Sequence, residues 1–235
     1  MKPIIVVRHA HPADSHIPIA SHWADAELSE MGLKQAECVA ARLKADLAGQ
    51  PCRIWASDLR RAWQTAAAIG RALNLPVKAM PGLREYKDGL KSEVTEEELR
   101  KYVPEDSRPT FDLLADRSAE SWPQFYHRVA SSMNEIAAES QRDDQVAVVV
   151  AHYGANGNIV NWWLKLDLTG TGDTPLSFET TLASVTVLKV KPSGKRCLER
   201  LNDIAHLYAC GLLPESARLM GTPKASAAPE SGKPR

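Results

Sequence analysis

Two histidines in this sequence each follow a short apolar run, in a pattern that favours phosphate chemistry. Arg8 and His9 come directly after the run Ile4 to Val7, and His152 comes directly after the run Val146 to Ala151. Such runs predict strands that are buried on both faces. Because parallel strands of an open α/β sheet bind ligands at their carboxyl ends, the two imidazoles could meet in one crevice. A guanidinium suits phosphate oxygens, and an imidazole can attack phosphorus or transfer protons.

Two further groups can reach the same crevice. Arg61 follows the predicted strand Arg53–Ala56 by one helical turn, and Glu85 follows the predicted strand Val77–Met80. The arginines would supply positive charge, a histidine the nucleophile, and the carboxylic acid a proton. The spacing therefore predicts a site for a dianionic phosphoryl group at the ends of several strands.

The elements that must position these residues alternate between strands and helices. This alternation predicts an α/β fold, a three-layer sandwich with a mostly parallel central sheet and helices on both faces. Ser29 is predicted to cap a helix that ends near Ala48, and Ser57 to cap the next helix. Charged residues crowd into an inserted cap at about 86–120. We expect a single domain over 1–214 and a disordered tail over 215–235, which is rich in Pro, Ala, Ser and Gly.

The composition excludes several classes of protein. Of the 235 residues 44% are hydrophobic and 25% charged, which is ordinary for a soluble globular protein. The formal net charge of zero argues against nucleic acid or an anionic membrane as a partner. No apolar run is long enough to cross a membrane, and the start of the chain has no signal-peptide pattern, so we expect a cytoplasmic location. The four widely spaced cysteines predict free thiols, with neither a metal site nor a disulfide.

Six blocks of the sequence form an ordered set of motifs: Arg8-His9-Ala10, Leu28 to Ala36, Ser57 to Ala66, Leu83-Arg84-Glu85, Val148 to Gly154 and Leu201 to Leu207. Together they resemble the histidine phosphatase superfamily, also called the phosphoglycerate mutase-like family. The resemblance spans about residues 4 to 207, and the segment from Glu120 to Val129 is similar to the phosphatase branch. One short motif is weak evidence, whereas six in the right order are strong.

The resemblance implies a role for each candidate residue. His9 would attack phosphorus and become a phosphohistidine, while Arg8, Arg61 and His152 stabilise charge on the transferring group. Glu85 would protonate the leaving oxygen and then activate water. The implied reaction is metal-independent hydrolysis of a small phosphorylated substrate, with no cofactor, and homodimers are common among relatives.

The sequence also departs from the family pattern at the predicted phosphate site. Tyr153 stands where a glycine is common, so its ring could narrow the pocket or stack on a substrate, and we include it among the phosphate-binding residues. After His9 the usual polar residues are missing, which leaves His11 or Ser15 as candidate substitutes.

Three alternatives stay open from the sequence. His9, His11 and Asp14, with His16 and His22 nearby, suggest a metal site, although the spacing is not that of a known hydrolase motif. A phosphoglycerate-type mutase would return the phosphoryl group to a second hydroxyl. A non-catalytic phospholigand-binding protein could keep the same fold.

Overall fold

The computed structural model describes residues 1–13, 23, 25–87, 119–166 and 176–213. Strands and helices alternate through most of this length, as predicted. In chain order the elements are β1 (Ile4–Arg8), α1 (Glu30–Asp46), β2 (Cys52–Ala56), α2 (Arg60–Leu73), β3 (Val77–Ala79), a 3-10 turn (Pro81–Leu83), α3 (Trp122–Arg142), β4 (Val146–Ala151), α4 (Tyr153–Leu164), β5 (Val185–Val190), β6 (Arg196–Asp203) and α5 (Ala205–Ala209).

The strands form one sheet of 6 strands in the order β3-β2-β4-β1-β5-β6. The first four of these are mutually parallel, and β5 and β6 are antiparallel additions on one side. The predicted mostly parallel sheet is therefore confirmed. Because β4 lies between β2 and β1, the carboxyl ends of these three strands are neighbours at one edge of the sheet.

Each face of the sheet packs against its own pair of helices. Along β1, Ile5 and Val7 point to the core shared with α1 and α2, while Ile4 and Val6 point to the core shared with α3 and α4. This alternation is the expected consequence of strand geometry. It accounts for the unbroken β-branched run, since both faces of the strand are buried. The three-layer arrangement with helices on both faces is confirmed.

The start of α1 is fixed by the loop that follows β1. Ser29 caps this helix, and its Oγ accepts from the backbone N–H of Gly32 at 3.1 Å, as predicted. A side chain at Gly32 would place its Cβ 2.0 Å from the backbone oxygen of His11. The glycine thus lets the first turn of the helix pack directly on this loop.

The prediction that Ser57 caps the second helix is wrong. The N-cap of α2 is Leu59, which makes no side-chain cap hydrogen bond. The Ser57 hydroxyl accepts the N–H of Leu59 at 3.3 Å and also lies 2.8 Å from Nε2 of His152. The Ser57 side chain therefore contacts His152, which is distant in sequence, and does not cap α2 as its local sequence position predicted.

The prediction of four free thiols is also wrong. Cys38 in α1 and Cys210 just after α5 form a disulfide, with their Cα atoms 6.7 Å apart. They are 172 residues apart in sequence, so spacing could not reveal the pair. Cys52 and Cys197 are free. Persistent disulfides are unusual in a reducing cytoplasm, so this bond does not favour the predicted cytoplasmic location.

The predicted insert begins and ends at one place on the structure. Lys87 and Glu120 exchange two hydrogen bonds, one from the backbone N–H of Glu120 at 3.0 Å and one to its carboxylate at 2.9 Å. Most of the insert, and the tail at 215–235, lie outside the described residues, so these domain boundaries stay predictions. Among the helices of the described ranges, none has the length and apolar character that a membrane span requires.

Candidate active site

His9 stands at the end of β1 with its ring held by backbone groups. The backbone N–H of His9 donates to the backbone oxygen of Ala151 at 2.9 Å, which extends the pairing between β1 and β4. Its Nδ1 donates to the backbone oxygen of Ala10 at 2.8 Å. Burial, and then the charges of Arg61 and Arg8, hold the pKa of His9 well below its ordinary value. The ring is therefore neutral near pH 7, and Nε2 carries the lone pair that an attack needs.

His152 follows the neighbouring strand and lies against His9. The two ring centroids are 5.1 Å apart, and the planes are inclined at 55°. His152 is fully buried, and its Nε2 lies 2.8 Å from the Ser57 hydroxyl. Burial, with Arg61 and His9 as the next causes, holds the pKa of His152 well below its ordinary value. The predicted meeting of two histidines at the carboxyl ends of parallel strands is what the structure shows.

Arg8 lies under the ring of Tyr153. Its Nη1 donates to the backbone oxygen of Thr180 at 2.5 Å, and its Cζ lies 5.0 Å from the Tyr153 ring centroid. The Tyr153 hydroxyl in turn donates to Glu179 at 3.2 Å. The Tyr153 ring therefore lies beside one of the groups expected to bind phosphate.

Arg61 is buried in the first turn of α2, whereas its neighbour Arg60 is exposed. Only 7% of the Arg61 surface is accessible, and its charge acts on both His9 and His152. Arg60 instead pairs with Asp25 and Glu27 at 3.7 and 3.0 Å. The structure therefore brings Arg61 to the crevice, in the register that the sequence block predicts.

Glu85 reaches the same crevice from the loop after the 3-10 turn. Its Oε1 accepts the N–H of Tyr86, and its Oε2 accepts the N–H of Gly154 in the first turn of α4, both at 2.9 Å. The residue is buried, and in its ionised form it stabilises the positive charge of Arg8. The carboxyl group is thus positioned by the helix that begins directly after His152.

The family model for the histidine phosphatase superfamily, branch 1, matches residues 4–204 of this chain. The chain belongs to this superfamily. A metal-independent phosphoserine phosphatase of Arabidopsis thaliana is 27% identical over 89% of this chain and 85% of its own length. Phosphoserine phosphatase 1 of Hydrogenobacter thermophilus is 30% identical over 65% of this chain and 71% of its own length.

The solved structures agree with this assignment. A mycobacterial glucosyl-3-phosphoglycerate phosphatase in complex with inorganic phosphate superposes with a TM-score of 0.66 and is 26% identical, covering 88% of this chain and 99% of that chain. The predicted family, fold and enzyme class, a histidine phosphatase, are confirmed.

Sequence reasoning missed several residues that position the site of this histidine phosphatase. The hydroxyl of Thr65 accepts the N–H of Ala10 at 3.0 Å and donates to the backbone oxygen of Arg61 at 2.8 Å, which joins α2 to the loop after His9. The Ser57 hydroxyl contacts His152, and the backbone N–H of Gly154 donates to Glu85. All three lie inside the quoted blocks, so the blocks located them without revealing their contacts.

Arg128 in α3 holds the loop that carries Glu85. Its guanidinium donates to the backbone oxygens of Gly82, Arg84 and Glu85 at 3.0, 2.9 and 3.1 Å. It is also paired with the carboxylate of Glu120. The Arg128 side chain therefore fixes the backbone of the loop that carries Glu85, and no local sequence pattern indicates these contacts.

One departure from the family pattern, His11, contacts the residue that caps α1. Nδ1 of His11 lies 2.9 Å from the Ser29 hydroxyl, beside the N-cap of α1. Asp14, Ser15, His16 and His22 lie outside the described residues. Among the residues that are described, no group of three or more His, Cys, Asp or Glu could hold a metal ion.

Proposed function

We propose that this histidine phosphatase hydrolyses small phosphate monoesters through a phosphohistidine formed at Nε2 of His9. The observation that carries the proposal is the orientation of this ring, whose Nδ1 donates to the backbone oxygen of Ala10 at 2.8 Å. A neutral imidazole whose proton is held on the far nitrogen is ready to attack phosphorus.

The reaction would proceed in two steps that share one carboxyl group. In the first, Nε2 of His9 bonds to phosphorus, the ester P–O bond breaks, and Glu85 gives its proton to the leaving oxygen. In the second, the Glu85 carboxylate takes a proton from water as the water oxygen bonds to phosphorus, and the P–N bond breaks. Inorganic phosphate leaves, and the histidine and the protonated acid are restored.

Positioned positive charge would supply most of the catalysis. Phosphoryl transfer spreads negative charge over three equatorial oxygens and needs little covalent help from the protein. Arg8, Arg61 and His152 would stabilise this charge on the phosphoryl group that His9 accepts, and the charges of both arginines already act on the His9 ring. Tyr153, whose ring lies on Arg8, would border the bound phosphate at the entrance.

The relatives suggest where to look for the substrate. Two of them are named phosphoserine phosphatases, and a structural neighbour is named for glucosyl-3-phosphoglycerate. We therefore propose a small phosphorylated hydroxy acid or amino acid as the substrate class. The homodimer expected from fold relatives and the cytoplasmic location stay predictions.

Hydrolysis of an aryl phosphate with and without EDTA tests the reaction, with wild type, His9→Ala and His127→Ala compared. His127 is exposed on α3, so its variant is the matched control. We expect wild type and the control to be active in EDTA, and His9→Ala to lose at least about 1,000-fold. Phosphoserine and 3-phosphoglycerate would then be compared as substrates.

Each other outcome has a definite meaning. Activity that disappears in EDTA would restore the metal alternative. Near-normal activity of His9→Ala would place the nucleophile elsewhere. Phosphoryl transfer to a second hydroxyl without release of phosphate would show a mutase, and binding of phosphate esters without turnover would show a binding protein.

A further inference from the structure

The buried contact between Ser57 and His152 is built into the sheet. Ser57 directly follows β2 and His152 directly follows β4, and the backbone N–H of Ser57 donates to Val150 at 3.0 Å. Both side chains are 0% exposed, and the serine Oγ lies 2.8 Å from Nε2 of the histidine. The distance is that of a good hydrogen bond, and water cannot replace either partner.

The hydrogen bonds of the Ser57 hydroxyl indicate which partner donates. A hydroxyl has one hydrogen and two acceptor positions. The N–H of Leu59, at 3.3 Å, occupies one acceptor position. Within the described part of the chain, the other group at hydrogen-bond distance is Nε2 of His152. If Nε2 carried the proton, the serine hydrogen would be left buried without an acceptor, which costs about 1–3 kcal/mol.

The other nitrogen of the ring is consistent with this direction. Nδ1 of His152 is buried, and in the described ranges no protein group accepts from it or donates to it. The positive charges of Arg61 and Arg8 oppose protonation of the ring, so a neutral imidazole must choose one nitrogen for its proton. With the proton on Nδ1, this nitrogen could donate a hydrogen bond to a phosphoryl oxygen. An unprotonated Nδ1 would instead direct its lone pair at the oxygen, and the two would repel each other.

We propose that Ser57 is a positioning residue whose hydroxyl donates to Nε2 of His152 and thereby keeps the ring proton on Nδ1, where it can donate a hydrogen bond to the transferring phosphoryl group. The hydrogen bond from Nδ1 to the phosphoryl group rests on the proposed phosphatase reaction, whereas the position of the proton on the His152 ring does not. Groups that orient a histidine through its second nitrogen commonly control what the first nitrogen can do.

Nitrogen NMR of histidine-labelled protein tests the tautomer directly, because protonated and unprotonated ring nitrogens have clearly separated shifts. The variants are Ser57→Ala, Ser57→Cys, which keeps a weak donor, and Ser140→Ala. Ser140 is an equally buried serine that donates to the backbone oxygen of Gln145 at 2.5 Å, at the opposite end of β4. A His152→Gln spectrum assigns the signals.

In wild type we expect the proton on Nδ1 of His152, and in Ser57→Ala a mixture with the proton partly on Nε2. The kcat of Ser57→Ala should fall about 10- to 100-fold, with partial recovery in Ser57→Cys and none of this loss in Ser140→Ala. A wild-type proton on Nε2, or an unchanged tautomer in Ser57→Ala, would overturn the proposal. If wild type shows the expected tautomer but forms no phosphohistidine, the proposal for Ser57 stands and the proposed function is wrong.

Discussion

The backbone N–H of Gly154 donates to Oε2 of Glu85 across 2.9 Å, and the same glycine leaves the space that the carboxylate occupies. A Cβ at this position would lie 2.5 Å from Oε1 of Glu85 and 3.1 Å from the ring of Phe125. The first turn of α4 thus positions His152 and Glu85 together, since the helix begins directly after the histidine.

Substitution of Gly154 by alanine should displace the acid. Because the added methyl group overlaps the carboxylate, we expect kcat to fall about 10- to 100-fold, the cost of moving a catalytic group by about 1 Å. Gly157→Ala is the matched control, since it lies in the same helix and its Cβ would meet nothing within 4 Å. That variant should keep full activity and gain up to about 1 kcal/mol of stability. Equal activities would show that Glu85 tolerates the displacement.

Substitution of Glu85 by glutamine should separate substrates by their leaving groups. The amide keeps the size of the side chain but has no acidic proton, so alkyl phosphates, whose leaving oxygen needs that proton, should lose the most. We expect a loss of about 100-fold or more for alkyl esters and a smaller loss for aryl esters. Steady-state kinetics on a matched pair of esters measures this difference, and equal losses would argue against the acid role.

Substitution of the two adjacent arginines should have very different effects. Arg61 is 7% exposed, whereas the side chain of Arg60 forms surface ion pairs with Asp25 and Glu27, which are worth at most about 1 kcal/mol each. We expect Arg61→Ala to lower kcat/KM and the affinity for inorganic phosphate by about 100-fold or more. Arg60→Ala should stay close to wild type. The opposite order would mean that the register of this block is wrong.

The free energy of unfolding should fall as the pH drops below about 6.5. His9 and His152 have lowered pKa values in the folded protein, so only the unfolded chain takes up their protons in this range. Each ring should contribute a slope that approaches about 1.4 kcal/mol per pH unit well below pH 6.5 and that vanishes well above pH 7, where both states are neutral. Urea unfolding of wild type, His9→Gln and His152→Gln measures this. Identical slopes in all three would contradict it.

The disulfide should stabilise the protein through its unfolded state. Cys38 and Cys210 close a loop of 172 residues, and loop entropy gives an upper estimate of about 5 kcal/mol for such a link. We expect reductant to lower the melting temperature of wild type but not that of the Cys38→Ser, Cys210→Ser double variant. Cys197→Ser, which removes a free thiol, should behave as wild type. Four titratable thiols in the untreated, unfolded protein would show that no bond forms.

Much of this protein could be predicted from local sequence. The apolar runs before His9 and His152 identify buried parallel strands, because a strand covered on both faces needs an unbroken β-branched run. Parallel strands place their carboxyl ends on one side, so the meeting of the two histidines follows from the strand pattern. The order of the six blocks identifies the family, and the register of the block at Ser57 to Ala66 selects Arg61 over Arg60.

Only the tertiary structure decided the contacts between segments that are far apart in sequence. Ser57 has the spacing of a helix cap, but His152 lies 2.8 Å from its hydroxyl. Cys38 and Cys210 have no paired spacing, yet folding brings them together. Arg128 lies in a segment that resembles the phosphatase branch, but its contacts with three carbonyl groups of the loop that carries Glu85 were visible only in the structure. The type and spacing of side chains indicate the local secondary structure and which residues are buried. The contact partner of a side chain depends on the order of the strands in the sheet, which brings distant segments together.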